Sequence, residues 1–354
     1  MPAEATSAGA VSPGMPLGDY TEIREIGRTA VLARQGSAGL GRARRGPFFC
    51  IKKVDGFFGR MTAEERQAAA AKGKALRKLR HPNILQYVSV YVKNDTLCTV
   101  TEFAEDGDLR RRLKKQRGEP LPEQIVLNWF VQICLAMKHV HDRKMLHRDI
   151  RPHNIYLTRG GAVVKLGGFV PIDPGDDVPL GTKQQHYLAP EIFLGKRHDH
   201  RSDIWSLGCV LYELTTLKRA FEAKSLHELS LKIMRGKFRP PSSRHSAELR
   251  ALIADMLTRD PAERPSINQV LRRPVMQRFI RQFLADADTQ PQEASPSPPA
   301  ESAGGAAERR DSTASFASAR TFGTWEAICS VCLDPPGVSP SLPTTIVEPF
   351  FAWL

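Results

Sequence analysis

Long apolar segments are missing from this 354-residue sequence. It contains no run of about 18 apolar residues, the signature of a membrane-spanning helix, so no transmembrane helix is expected. Residues 1–18 contain small residues and prolines but no apolar core, which argues against a signal peptide. The contents of 41% apolar and 25% charged residues are typical of a globular protein with a core of ordinary size.

Cysteine is scarce and scattered. One pair, Cys329 and Cys332, forms a single C-x-x-C, and without a second ligand pair it is weak evidence for zinc. The other four lie in apolar surroundings, which indicates buried free thiols in a reducing compartment and predicts a cytoplasmic protein: Cys50, Cys98, Cys134 and Cys209.

Acidic residues are outnumbered by basic ones, and the net charge is +13. The basic residues form two clusters, at 72–80 and 110–117, which we interpret as solvated helix faces. The alternative is a surface that binds nucleic acid, acidic lipid or acidic protein. Because no aromatic residues are interleaved with the basic runs, nucleic acid is not an expected partner.

The composition divides the chain into three parts. Residues 1–18 are predicted to be a flexible leader, and residues 285–354 a disordered tail rich in Pro, Ser and Ala. Residues 19–284 are predicted to form one globular domain. Its first part, about 19–104, alternates like a sheet, with strands predicted at Tyr20–Ile26, Pro47–Val54, Leu85–Val92 and Leu97–Phe103.

One helix interrupts the predicted strands. It spans Thr62 to Leu79, and Thr62 with Glu65 forms a capping box at its start. The part from about 105 to 284 is mostly helical, with helices predicted at Gln124–His141, Asp203–Leu214 and Leu249–Leu257. A small β-rich lobe followed by a larger helical lobe is the expected layout.

The strongest chemical signal is the octapeptide at 147–154, which reads H-R-D-I-R-P-H-N. It matches the H-R-D-x-x-x-x-N catalytic loop of protein kinases in both residue type and spacing. Phosphoryl transfer needs an Asp to accept the proton of the substrate hydroxyl, here Asp149, and an Asn to hold a metal ion, here Asn154. Arg151 replaces the lysine that is usual in serine/threonine kinases, which is a mild change.

Other motifs follow in the order of a kinase domain. Residues 50–52 resemble the V-A-I-K strand, with Lys52 as the phosphate-pairing lysine, and residues 189–191 form A-P-E. Arg264 resembles the basic partner expected for Glu191. Residues 61–68, 81–83, 206–214 and 217–223 are similar to the NIMA-related kinases. The resemblance implies a bilobal α+β protein-kinase fold, serine/threonine kinase ancestry, ATP with Mg²⁺ as cofactor, and protein partners in the cytoskeleton, centrosome or cilium.

The nucleotide-binding loop departs from the pattern. Gly27 is present, but Thr29 and Leu32 stand where further glycines belong in an ungapped alignment. Gly36, Gly39 and Gly41 could form a displaced loop, although a hairpin turn is the better interpretation. Backbone groups of a hinge that contains Glu102 and Ala104 remain available to an adenine.

The charge and metal chemistry also departs from the pattern. The position of the glutamate that should pair with Lys52 is occupied by Lys72, and Glu65 lies about two turns too early. The D-F-G aspartate is replaced by Gly168, so Asn154 is at most the one metal ligand left. In the activation segment, Asp173, Asp176 and Asp177 either pair with Arg148 as a phosphate mimic or form a solvated loop. A third alternative is that one of them reaches the metal that Gly168 cannot hold.

These departures predict a pseudokinase that acts as an interaction or regulatory module, with ATP and Mg²⁺ binding in doubt. The alternative is an active but weak ATP-dependent serine/threonine kinase that relies on Lys52, Asp149 and Asn154.

Overall fold

The computed structural model describes residues 20–27, 29–35, 47–54, 62–93, 96–169 and 185–289. Several predictions therefore fall outside the described residues: those for the leader, the tail beyond 289, the C-x-x-C motif, Gly36, Gly39, Gly41 and the acidic residues of the activation segment. Among the described residues, no helix is long and apolar enough to cross a membrane.

The N-terminal lobe is built on a five-stranded antiparallel sheet with strand order β1-β2-β3-β5-β4. The four predicted strands are confirmed, with ends that shift by one or two residues, and β2 was not predicted. The strands are β1 Tyr20–Gly27, β2 Ala30–Gln35, β3 Phe48–Val54, β4 Tyr87–Lys93 and β5 Thr96–Glu102.

One helix, α1 (Ala63–Lys78), packs against β4 of this sheet. The predicted capping box is present, because Glu65 N–H donates to Thr62 Oγ1 at 3.2 Å and Thr62 N–H donates to Glu65 Oε2 at 2.7 Å. Two backbone donors at the helix start are thereby satisfied. Glu65 is consequently committed to the helix terminus.

The C-terminal lobe is mainly helical and carries a two-stranded sheet, β6 (Ile155–Thr158) with β7 (Val163–Leu166). The last helix continues to Thr289, past residue 284, where the predicted domain ends. The helices are α2 Leu109–Lys115, α3 Glu123–Asp142, α4 Pro190–Phe193, α5 His200–Thr216, α6 Leu226–Arg235, α7 Ala247–Met256, α8 Ile267–Leu271 and α9 Pro274–Thr289.

Helices α3 and α5 form the centre of the C-terminal lobe, and nearly all of their residues are buried. Gly208 on α5 permits a close approach of α7, because a Cβ there would lie 3.0 Å from side-chain atoms of Met256 and Leu257. This continuous core supports the loop that carries the predicted catalytic residues. The α+β bilobal fold predicted from the sequence is confirmed.

The predicted pair of Glu191 and Arg264 is buried in this lobe. Both terminal nitrogens of Arg264 donate to the carboxylate at 2.7 Å, and its guanidinium also lies 5.0 Å above the ring of Trp205. Burial alone would raise the pKa of Glu191, but the hydrogen bonds from Arg264 and Ser202 outweigh it and lower that pKa. The pair ties α4 to the segment that precedes α8.

Candidate active-site cleft

The catalytic-loop motif lies between α3 and β6, where Asp203 of α5 anchors its backbone. The Asp203 carboxylate accepts the N–H groups of His147 and Arg148, each at 3.0 Å, and lies 3.0 Å from His141 and from His198. Burial would raise the pKa of Asp203, yet the hydrogen bonds from the two histidines hold it far below its ordinary value. An ionised Asp203 therefore fixes the loop at neutral pH.

The three predicted catalytic residues are close together. Asp149 Oδ2 accepts a hydrogen bond from Asn154 Nδ2 at 2.7 Å, and the same amide nitrogen donates to the Asp149 carbonyl at 2.7 Å. Arg151 Nε lies 2.9 Å from Asp149 Oδ1, as an ion-pair contact without good hydrogen-bond alignment. Both carboxylate oxygens of Asp149 are thus in contact with neighbouring side chains of its own loop.

Gly168, at the position of the D-F-G aspartate, has no space for a side chain. Its φ angle is +80°, and a Cβ there would lie 2.2 Å from Cγ and 2.4 Å from Oδ1 of Asn154. Contacts this short do not occur between real atoms, so the Asn154 carboxamide occupies the volume that an aspartate would need. The Nδ2 atom of the same carboxamide donates to Asp149.

These groups do not fit a magnesium ion. Mg²⁺ at a phosphate site is held through one or two carboxylates in near-octahedral geometry. Gly168 supplies none, and Asp149 is engaged by Asn154 and Arg151. In the part of the chain that the structure describes, no group of three His, Cys, Asp or Glu residues is arranged to hold a metal.

At the position of the nucleotide loop, β1 and β2 form a hairpin in which Gly27 pairs with Ala30. The carbonyl of Thr29 accepts a hydrogen bond from Lys53 N–H at 2.7 Å, which ties the turn to β3. Leu32, where the ungapped alignment expects a further glycine, lies in β2. It pairs with Cys50 inside the sheet and is buried. Thr29 and Leu32 therefore stand at two positions where the pattern has glycine.

Lys52 on β3 is exposed, and it has no carboxylate partner among the residues described here. Glu65 is used in the capping box of α1. The sequence alignment places Lys72 opposite Lys52, but the charged group that acts on Lys72 is Arg148. Burial first, and then Arg148, lowers the pKa of Lys72 to about 8. Helix α1 thus presents a cation to the catalytic loop.

The hinge between the lobes is stabilised by hydrogen bonds to the Glu102 carboxylate and to the Ala104 carbonyl. Glu102 Oε1 accepts from Gln86 N–H at 2.9 Å and from Lys165 Nζ at 2.7 Å, and the Ala104 carbonyl accepts from Gly107 N–H at 3.3 Å. The Glu102 carboxylate is therefore structural. Contacts of either Glu102 or Ala104 with an adenine would use backbone groups.

Tyr156 was missed by the sequence reasoning. It lies between the buried residues Ile155 and Leu157 of β6, and the alternation of strand side chains directs it to the opposite face, toward the cleft. Its ring packs beside Gly167, where a Cβ would lie 3.0 Å from Tyr156 Cε2. Burial, with Cys50 acting across the cleft, raises the Tyr156 pKa to about 12. An aromatic ring therefore lies in the cleft beside Gly167 and Cys50.

A stack of buried residues joins the two lobes. The ring centroid of Phe169 lies 4.3 Å from that of His147 and 6.2 Å from that of Tyr87, and Leu76 belongs to the same buried cluster. The His147 ring also bonds to the Gly167 carbonyl at 2.9 Å. The structural part of the cleft is assembled, although the metal position lacks a carboxylate.

Comparisons with known proteins agree with this fold. The family model of the protein kinase domain matches residues 25–276. Serine/threonine-protein kinase Nek1 of Mus musculus is 41% identical over 271 residues, which cover 75% of this chain and 22% of that protein. Serine/threonine-protein kinase Nek5 of Homo sapiens is 40% identical over 270 residues, with shares of 75% and 37%.

The chain therefore belongs to the protein kinase family. Within that family its similarity is to the Nek, or NIMA-related, serine/threonine kinases, as the sequence motifs indicated. A further relative, serine/threonine-protein kinase nekl-2 of Caenorhabditis elegans, is 34% identical over 241 residues, with shares of 64% and 66%. The chain aligns with well under half the length of Nek1 and Nek5.

Proposed function

We propose that this chain is a pseudokinase of the NIMA-related type, which keeps the kinase fold for binding proteins and has lost Mg²⁺-dependent phosphoryl transfer. The observation that carries the proposal is the relation between Gly168 and Asn154. No carboxylate exists at position 168, and the Asn154 side chain lies within 2.2 Å of the place where a Cβ would be. Among the described residues, the ion that neutralises the developing charge on the phosphates therefore has no adequate ligand set.

The lysine of the nucleotide site supports the same proposal. In a working kinase a glutamate of the N-lobe helix positions this lysine on the phosphates. Here Glu65 caps α1, and Lys72 stands where the glutamate belongs. Lys52 is exposed and lacks that glutamate. The cleft therefore lacks a positioned lysine as well as the metal-binding carboxylate.

The assembled core of the domain supports a role in protein binding. The Glu191–Arg264 pair and the stack around Phe169 maintain the two-lobed surface without relying on the metal site. A protein partner and a cytoplasmic location are part of the proposal. The cytoskeleton, centrosome or cilium as the setting rests on the Nek resemblance, and the cytoplasmic location also rests on the free cysteines.

Calorimetric titration with ATP tests the loss of the metal site. We expect the same affinity, or no binding at all, in Mg²⁺ and in EDTA, because Mg²⁺ gains no protein ligand. The Lys52→Ala variant serves as the control that locates any binding in the cleft. A tightening of about tenfold or more in Mg²⁺, equal to about 1.4 kcal/mol, would contradict the proposal.

The second candidate is a weak serine/threonine kinase, which the juxtaposition of Asp149, Arg151 and Asn154 favours. The variant Lys72→Glu with Gly168→Asp restores both missing acids and should raise transfer from a measurable baseline if this candidate is correct. Because Asn154 occupies the space beside position 168, its side chain must rotate for the new carboxylate to fit. No gain in the double variant, with the fold verified by thermal unfolding, counts against a weak kinase.

A further inference from the structure

The surface of α2 carries an unusual concentration of positive charge. Residues 109–119 read L-R-R-R-L-K-K-Q-R-G-E, with six cations and one carboxylate. Leu109 and Leu113 are buried and hold the helix on the lobe, while Arg110 turns inward to Glu213 at 2.6 Å. The other five cations are exposed and are called the α2 basic face: Arg111, Arg112, Lys114, Lys115 and Arg117.

Three acidic residues near this face accept hydrogen bonds from backbone groups. Glu105 accepts the backbone N–H of Arg159 at 2.7 Å, and Asp106 accepts that of Gly161 at 2.9 Å. Asp108 caps α2 by accepting the N–H of Arg111 at 2.8 Å. Within the described ranges, no cation of the α2 basic face forms an ion pair. Like charges three and four positions apart on a helix repel, so the face is destabilising until an anion neutralises it.

The helix that carries this face lies next to the catalytic loop. Helix α2 contacts the turn Pro152–Asn154 of the catalytic loop, and its N-cap Asp108 forms a backbone bridge with Tyr156. The α2 basic face therefore borders the mouth of the cleft. A ligand on it would lie along the edge where a protein substrate approaches a kinase.

We propose that the α2 basic face binds an acidic polypeptide segment, in which several Glu or Asp carboxylates are close together in sequence. Five guanidinium and ammonium groups within seven residues match a run of carboxylates in charge and spacing. The absence of exposed aromatic rings from residues 109–119 disfavours nucleic acid, which needs stacking platforms for single strands. This proposal is independent of whether the cleft transfers phosphate.

Fluorescence anisotropy on the full chain tests the proposal, with a labelled peptide that contains eight glutamates as the probe. The variant Arg111→Gln/Arg112→Gln/Lys115→Gln keeps helix propensity and removes three charges. We expect it to weaken binding by about tenfold or more, and raising NaCl from ~0.05 M to ~0.3 M to weaken native binding similarly.

A matched variant on α1, Lys74→Gln/Arg77→Gln/Lys78→Gln, removes the same charge from exposed positions away from the cleft mouth. It should change affinity by less than about twofold if the site is local. Equal losses in both variants, no binding by the native chain, or tighter binding of a single-stranded RNA of equal charge would overturn the proposal. Should the first variant unfold, Lys114→Gln/Lys115→Gln/Arg117→Gln replaces it with the same expectation.

Discussion

The hydroxyl of Tyr87 on β4 donates a hydrogen bond of 2.9 Å to the backbone carbonyl of Phe169, at the junction of the two lobes. Both residues are buried, and the hydroxyl stays protonated because burial raises the pKa of Tyr87 far above its ordinary value. Phe169 directly follows Gly168, so this bond fixes the segment in which the metal-binding carboxylate is missing. The lobes are thus joined by the protein's own groups next to the degenerate site.

Replacing Tyr87 by Phe should therefore destabilise the domain. The change leaves the buried Phe169 carbonyl without its donor, at a cost of about 1–2 kcal/mol. For a domain of this size the midpoint of thermal unfolding should fall by about 2–8 °C. Tyr91→Phe makes the same chemical change on the same strand at a half-buried ring and should have a smaller effect. Equal effects of the two changes would contradict the role assigned to the Tyr87 bond.

Gly168→Ala tests whether Asn154 fills the space at the metal position. The added Cβ meets Asn154 at 2.2 Å on a backbone with φ of +80°, so we expect a loss of about 2–4 kcal/mol in a denaturant titration. Gly160→Ala is the matched control, since its φ is +67° and no atom lies within 4 Å of the added Cβ. The control should show only the conformational strain, about 1 kcal/mol.

The steric part of the Gly168→Ala effect should be relieved by a second change. The double variant Gly168→Ala/Asn154→Ala is expected to be more stable than Gly168→Ala alone, because the colliding carboxamide is gone. Simple additivity of the two single losses would show that the two positions do not interact.

Breaking the Glu191–Arg264 pair should be among the most damaging single changes. Arg264→Gln leaves the buried Glu191 carboxylate without its bidentate partner, and we expect a loss of about 3–5 kcal/mol. The exposed pair of Arg278 with Glu248 provides the comparison, and Arg278→Gln should cost less than about 1 kcal/mol. A loss below about 1 kcal/mol for Arg264→Gln in urea unfolding would be inconsistent with the buried pair.

Two buried histidines should make stability depend on pH. Burial lowers the pKa of His81 to about 3 and that of His139 to about 4, and the neighbouring cation Arg143 adds to both shifts. Below about pH 6.5 the unfolded chain binds protons that the folded chain excludes. The stability contributed by these two histidines is therefore complete above about pH 6.5 and declines toward pH 4, by up to about 1.4 kcal/mol per pH unit for each histidine.

The variant His81→Asn/His139→Asn should flatten this part of the profile, measured by urea unfolding at a series of pH values. His227 is exposed on α6, and His227→Asn serves as the control that should leave the slope unchanged. An unchanged slope in the double variant would assign the pH dependence to other groups.

Motifs that consist of particular residues at a fixed spacing were predictable from the sequence. Asp149, Asn154 and Arg264 lie where their spacing indicated, because the catalytic loop and its supports have fixed local geometry. The capping box at Thr62 and the helix α3 were likewise readable, since each depends on neighbours within one or two turns.

Features that depend on tertiary packing could not be read in the same way. Strand β2 has only two strongly apolar residues, Val31 and Leu32, and it forms because β1 and β3 pair with it on either side. The approach of Lys72 to Arg148 depends on the rotation of α1 against the other lobe. Tyr156 could have been found from the alternation in β6, which places every second residue on the cleft side.

The central claim is most directly tested by transfer of radiolabelled phosphate from ATP, in Mg²⁺ and then in Mn²⁺, to a generic protein substrate and to the chain itself. The Asp149→Asn protein, purified identically, controls for contaminating kinases. A pseudokinase predicts the same background signal for both proteins with either metal. Transfer by the native chain that Asp149→Asn abolishes would contradict the account and would mean that another group holds the metal in place of the missing aspartate.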